Sequence, residues 1–170
     1  MSYPVKYSAS FVKEHIAQTV SELRATGVIN DRVVFLVMLN GGVWFAQHAF
    51  DCIPEIPNEV YMLKGHSYSG KQRGKFYWDY FPDLNLKERE VLVLDDICDS
   101  GATVNTLYHF LQPKVAKVSF FTLLKRSFAV VEEGVELYTC IEDDSHDFFV
   151  GCGLDDNGLY RMLPYIGIVK

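Results

Sequence analysis

The sequence predicts an α/β protein built on an open, mainly parallel, twisted sheet flanked by helices. Three observations carry that prediction. An apolar run, a glycine-containing loop and an amphipathic stretch follow one another twice, over residues 32–50 and 91–111. Both runs lack polar alternation, which suits strands buried on two faces. Further apolar runs at residues 115–124 and 135–141 supply more strands, and strands alternating with helices build parallel sheets.

Taken in order, residues 11–24 carry Val12, Ile16, Val20 and Leu23 at helical spacing, with Ser10 as the expected N-cap and Gly27 as the stop. Residues 32–39 read as a buried strand ending in Asn40-Gly41-Gly42, and residues 43–50 as the helix that follows. Residues 64–75 hold Lys64, Lys71, Arg73 and Lys75 among Gly65, Gly70 and Gly74, the composition of a mobile basic flap that could close over an anion. The aromatic run Phe76, Tyr77, Trp78, Tyr80 and Phe81 reads as core or subunit interface. Val104, Leu107, Tyr108 and Leu111 form the apolar stripe of a helix beginning near Thr103. The strand at residues 115–124 ends in Lys125-Arg126.

Residues 91–103 say most about chemistry. Val91 to Leu94 are apolar, Asp95 and Asp96 follow, and Asp99-Ser100-Gly101-Ala102-Thr103 lead into the helix. Free amides and the positive end of a helix dipole attract phosphate, hydroxyls add donors, and glycine allows close approach. Two acids beside such a cradle would repel a bare phosphate. Their presence implies a ligand that also offers sugar hydroxyls or arrives with a divalent cation such as magnesium. An ordinary strand-to-helix turn explains Gly101, but not three aspartates within five positions. Ligands of open parallel sheets sit beyond the carboxyl ends of the strands, which gathers Asn40, Gly41, Asp95, Asp96, Asp99 and Lys125 on one edge.

Composition bounds the alternatives. The chain has 170 residues, 49% of them hydrophobic and 22% charged, which suits one globular domain over residues 1–170. A net charge of -6 and a pI near 5.3 argue against a nucleic-acid partner, so a polyanion must be held by local groups or metal. The opening ten residues are too polar for a signal peptide and the longest apolar run, residues 33–39, is far short of a membrane span. A cytoplasmic protein with reduced thiols is expected, since Cys52, Cys98, Cys140 and Cys152 show no zinc spacing. Cys98, although inside the motif, reads as a plain apolar side chain.

The motif at residues 91–103 resembles the phosphoribosyl pyrophosphate motif of the type I phosphoribosyltransferases: an apolar strand, two acids, two further residues, then Asp-[Ser/Thr]-Gly-x-Thr. The segment from Asp147 to Gly167, with Val150-Gly151-Cys152-Gly153-Leu154-Asp155, Tyr160-Arg161 and Leu163-Pro164-Tyr165-Ile166-Gly167, is similar to the ending of hypoxanthine and hypoxanthine-guanine phosphoribosyltransferases. The resemblance spans roughly residues 35–168. It implies the type I phosphoribosyltransferase fold, whose terminal segments build a small hood. It also implies purine salvage: transfer of a phosphoribosyl group to N9 of hypoxanthine or guanine, giving the nucleoside monophosphate and pyrophosphate.

Carried over by residue, the resemblance implies that Asp99, Ser100, Gly101, Ala102 and Thr103 bind the 5-phosphate and that Asp95 and Asp96 hold the ribose near Mg2+. Asp99 would be the catalytic proton acceptor. Lys125 would read the purine 6-oxo group, Phe148 would stack on the base, and the Phe149 backbone would meet its edge. Asp155 would be a further magnesium ligand beside Asp95 and Asp96, and Arg161 would hold pyrophosphate with the backbone of Asn40 and Gly41. Ser67 and Tyr68 would be the Ser-Tyr pair of the flexible loop.

The chain departs from the pattern in two places. Human-type members carry lysine at Asn40, and an arginine some relatives have is missing from Ser127-Phe128-Ala129. Relatives also hold the peptide in this first loop, at Asn40–Gly41, in the cis form. The family is usually dimeric or tetrameric, so a homodimer or homotetramer is expected. A xanthine-guanine-preferring transferase and a non-catalytic regulator that senses phosphoribosyl pyrophosphate are the alternatives; the chain has no helix-turn-helix extension or basic face to serve the second.

Overall fold

Helix α1 (Ala9–Ala25) of the computed structural model turns Val12, Ile16, Val20 and Leu23 onto one buried face, as their spacing requires. The structure describes residues 3–54, 59–67 and 76–170. The helix is capped by Ser8, not the expected Ser10: the Ser8 hydroxyl accepts from the Phe11 amide at 3.2 Å, which satisfies a first-turn N–H. Ser10 falls inside the first turn, its hydroxyl 3.0 Å from that of Ser8. At the other end Gly27, with φ of +77°, releases the chain.

The remaining elements, in chain order around α1, are β1 (Val5–Tyr7), β2 (Val34–Leu39), α2 (Gly42–Phe50), β3 (Val60–Ser67), β4 (Phe76–Tyr80), β5 (Glu90–Cys98), α3 (Ala102–Leu111), β6 (Lys117–Arg126), β7 (Glu136–Asp143), β8 (Phe148–Val150) and β9 (Ile166–Val169). Six strands form the main sheet in the order β4-β3-β2-β5-β6-β7. Every neighbouring pair is parallel except β3 with β4. In β2, Phe35 and Val37 face the core under α1 and α2, while Val34, Leu36 and Met38 face the core under α3. Two covered faces are the reason the strand is apolar at every position.

Two strands run farther than their apolar residues indicate. β6 ends at Arg126 and β7 at Asp143, because Lys125 pairs with Glu142 and Arg126 with Asp143 along the ladder; the segment 115–116 stays outside β6. The first part of the expected basic flap is also strand: residues 64–67 belong to β3. Residues 68–75, Tyr68 among them, lie outside the described residues. In the aromatic run, Trp78 and Phe81 pack on Phe110 of α3, with ring centroids 4.8 and 5.1 Å apart. Tyr77 and Tyr80 are exposed.

A second, antiparallel sheet of order β1-β9-β8 joins the two ends of the chain into the hood. Phe149 and Ile166 join it to the core under α1 and α2, and a polar tie is added at the end of β7. Buried Asp143 at the end of β7 accepts from the Tyr7 hydroxyl of β1 at 2.6 Å, from the Ser145 hydroxyl at 2.6 Å and from Arg126 Nη1 at 2.7 Å. Lys6 Nζ is 3.5 Å away. Burial alone would push the Asp143 carboxyl up; the Ser145 and Tyr7 hydrogen bonds, the Ser145 amide and the Lys6 charge outweigh it and hold the pKa at about 2.

A pKa below its unfolded value stabilises the fold above about pH 4, and that contribution is lost as pH falls towards 2. The change from 3.8 to about 2 corresponds to on the order of 2 kcal/mol. Urea unfolding of the wild type is expected to show that loss between about pH 4 and pH 2. Asp143→Asn should be less stable at neutral pH and flatter across the same window. An equally steep profile in the variant would assign the acid loss to other carboxylates.

Candidate functional site

Three loops converge beyond the carboxyl ends of β2 and β5. After β2, the peptide Leu39–Asn40 is cis, one bond before the Asn40–Gly41 position carried over from relatives. Gly41 then caps α2 with its backbone against the β5 acids: a Cβ there would fall 1.8 Å from Asp96 Oδ2. A Cβ on Gly42 would be 2.9 Å from the Leu94 carbonyl oxygen. The turn after β8 closes the junction from the other side. Gly153, at φ of +104°, would place a Cβ 2.2 Å from the Gly41 carbonyl oxygen and 3.3 Å from Asp96 Cβ.

The acid pair is half-buried at this junction. Asp95 Oδ1 accepts from the Asp96 amide at 2.9 Å. Burial, then the Asp96 charge, push the Asp95 carboxyl well above the ordinary carboxylate range. Burial lifts Asp96 as well, while the hydrogen bonds from the Asp95 carboxyl and the Ile97 amide, and then the Arg161 charge, pull it partly back. Arg161 spans the junction: Nη1 donates to the Gly153 carbonyl at 2.7 Å and Nη2 lies 2.6 Å from Asp155 Oδ1. The other Asp155 oxygen accepts from the Gly158 amide at 2.6 Å.

On the α3 side, Gly101 takes φ of +90° as the helix cap. The Ser100 hydroxyl accepts from the Ala102 amide at 3.3 Å. The segment after β6 braces this loop. The Val130 amide donates to the Ser100 carbonyl at 3.0 Å, Asn105 Nδ2 donates to the Val130 carbonyl at 2.9 Å, and a Cβ on Gly101 would be 2.1 Å from that same oxygen.

Two adjoining cavities result. One, of about 230 Å³, runs along residues 95–104. The other, of about 280 Å³, is lined by Arg126, Phe148, Phe149, Leu154 and Asp155, and shares Asp96, Ile97 and Asp99 with the first. Asp96, Ile97 and Asp99 thus stand between a cradle along the loop and a more apolar recess. Phe148 presents a ring that is 57% exposed, whereas Phe149 is buried at 5%. The exposed ring is available for stacking and the buried one is not.

Of the expected site residues, Asn40, Gly41, Arg161 and Lys125 line neither cavity, and the Lys125 Nζ is 2.5 Å from Glu142 Oε1. Arg126 stands in the recess instead. Alternation along β6 turns adjacent side chains to opposite faces, and that period is the one signal by which the sequence could have separated the pair. Asn105 and Val130 carry no sequence signal of their role, since their contact is made by the tertiary fold. Cys98 is buried, and burial pushes its thiol up to about 11, which agrees with a plain packing role.

The donor set fits magnesium accompanied by a ligand, and not a metal held by protein alone. Among the described residues no three His, Cys, Asp or Glu side chains form a metal cluster, so Asp95, Asp96 and Asp155 do not make one three-acid site. Asp155 is engaged by Arg161 and Gly158, leaving the Asp95–Asp96 pair as a two-carboxylate edge. Magnesium is commonly bound by one or two carboxylates, with substrate phosphates and water completing its octahedron.

A hypoxanthine-guanine phosphoribosyltransferase of Mycobacterium bovis is 31% identical over 159 residues, covering 91% of this chain and 76% of that protein. One of Streptococcus pneumoniae is 40% identical over 87 residues, 51% of this chain, and the match spans 48% of that protein, about half its length. A crystal structure of a hypoxanthine-guanine phosphoribosyltransferase from Bacillus anthracis superposes with a TM-score of 0.82 at 26% identity, covering 100% of both chains. The model of the phosphoribosyl transferase domain matches residues 8–157, a span that takes in both glycine loops, the acid pair and the turn that closes over them, and the chain belongs to that family.

Proposed function

We propose that the protein transfers the phosphoribosyl group of phosphoribosyl pyrophosphate to N9 of hypoxanthine or guanine, releasing pyrophosphate and forming the nucleoside monophosphate. The observation that carries this reading is the shared wall: two carboxylates, Asp96 and Asp99, border both the cradle at residues 95–104 and the recess under Phe148. A 5-phosphate in the cradle and a purine in the recess would set the sugar carbon C1 across Asp96 and Asp99.

In this reading the amides and hydroxyls of Ser100, Gly101, Ala102 and Thr103 take the 5-phosphate at the helix start. Asp95 and Asp96 accept from the ribose hydroxyls. Asp95 and Asp96 would hold magnesium, which when bound would supply positive charge to the pyrophosphate oxygens. Arg161 and the backbone of Asn40 and Gly41 receive the departing pyrophosphate, a task suited to a planar fork of donors. N9 bonds to C1 as the bond from C1 to the pyrophosphate oxygen breaks and its electron pair leaves with pyrophosphate. The proton made acidic on the purine passes to Asp99 near N7. Lys125, having donors only, suits a 6-oxo acceptor and not the amino group of adenine; to reach the base it exchanges Glu142 for the ligand.

An absorbance assay with hypoxanthine, guanine or xanthine, each with phosphoribosyl pyrophosphate and magnesium, tests the reading. Turnover of hypoxanthine or guanine, abolished by a chelator and restored by magnesium, is expected. No turnover of any base would sink it in favour of a phosphoribosyl pyrophosphate sensor. Asp99→Asn should lower kcat about a hundredfold, the range of one general base, with little change in the KM for phosphoribosyl pyrophosphate. Equal losses in both would make Asp99 a binding residue only. Gly153→Ala, whose Cβ would fall 2.2 Å from a backbone oxygen, should cost at least about a hundredfold in kcat/KM by displacing the first loop. Near-normal activity would show that the junction is compliant.

A further inference from the structure

We propose that Arg126 is a positioning residue for this transfer, holding the Asp99 carboxylate and the Phe148–Phe149 wall in one fixed relation. The inference rests on the proposed function, in which Asp99 takes the purine proton and Phe148 stacks on the base. Arg126 has a side chain only 6% exposed, yet it reaches outward: Nε is 3.3 Å from Asp99 Oδ1. Its other donors are spent on the far side of the recess. Nη1 donates to Asp143 Oδ1 at 2.7 Å and to the Ser145 carbonyl at 2.9 Å, and Nη2 donates to the Asp147 carbonyl. The guanidinium plane lies 4.2 Å from the centre of the Phe149 ring.

Each contact has a consequence for the site. Asp99 is 67% exposed on a loop, and a carboxylate so placed would turn freely without an anchor. A single bond to Oδ1 fixes its direction and leaves Oδ2 for the purine. The bond to the Asp147 carbonyl and the stack on Phe149 fix the start of β8, from which Phe148 projects. One rigid, planar group therefore sets the spacing between proton acceptor and base wall. Lysine cannot replace it, because a point charge on a flexible stem has neither the fork nor the plane. The hood end of the same network, Tyr7 and Lys6 on Asp143, holds the guanidinium in place from behind.

A purely structural arginine would make the same contacts, so the test separates the two roles by a double-mutant cycle. Arg126→Lys and Asp99→Asn are made singly and together, and kcat and KM are measured for both substrates after thermal melting shows folded protein. Arg126→Lys is expected to lower kcat at least about tenfold, with the KM for phosphoribosyl pyrophosphate within about threefold of wild type. In the Asp99→Asn background it should change kcat less than about twofold, since the group it aims is already disabled. The same fold-loss in both backgrounds, or full kcat in folded Arg126→Lys, would overturn the inference. If that variant fails to fold, Arg126→Met with Asp143→Asn removes the buried charges together, and the same cycle applies. Wild-type turnover in Asp99→Asn alone would overturn the role given to Asp99, a failure distinct from that of Arg126.

Discussion

The site depends on a junction with no room for a single Cβ. The backbone of Gly41 lies against the Asp96 carboxylate, and Gly153 lies against the Gly41 carbonyl. A side chain at either position would separate three loops that belong to β2, β5 and the turn after β8. The parallel register of β2 on β5, with Val37 opposite Leu94, brings the first two together. The hood turn is brought in by the C-terminal chain, where the Cys152 and Gly153 amides donate to the Leu163 and Arg161 carbonyls, both at 2.9 Å. Ligand-contacting backbone is thereby made part of the core packing, and it inherits the rigidity of the sheet.

Against that rigid corner the charges are left unbalanced. Burial and mutual repulsion raise the Asp95 carboxyl, and Arg161 relieves only part of the strain on Asp96. Two acids in low dielectric are costly by themselves. In the proposed reading, sugar hydroxyls and a divalent cation would offset that cost, so that a site for an anion can be lined with aspartates.

The hood is held differently. Its short strands place Phe149 and Ile166 in the core under α1 and α2, and a polar tie runs through Asp143, a buried acid that meets Tyr7, Lys6, Ser145 and Arg126 at once. A buried charge is tolerated only with such complete hydrogen bonding. The network also joins the hood to the recess that Arg126 lines, so the acid that anchors the terminal segments also holds the guanidinium beside Asp99.

Local rules were enough for much of this. Unbroken apolar runs announced β2 and β5, helical spacing announced α1 and α3, and residues 91–103 announced a strand, an acid pair and a glycine-capped helix start, because each follows from neighbours in the chain. Ser8 in place of Ser10, the extra residues of β6 and β7, and the strands β3 and β4 were not legible: they are stabilised by partners across a ladder or by one cap bond. The tertiary structure alone decided that Gly153 meets Gly41, that Lys125 turns to Glu142 while Arg126 enters the recess, and that Val130 braces the loop at Ser100. Composition and periodicity encode what a residue buries; which distant group it touches is settled only when the strands have found their register.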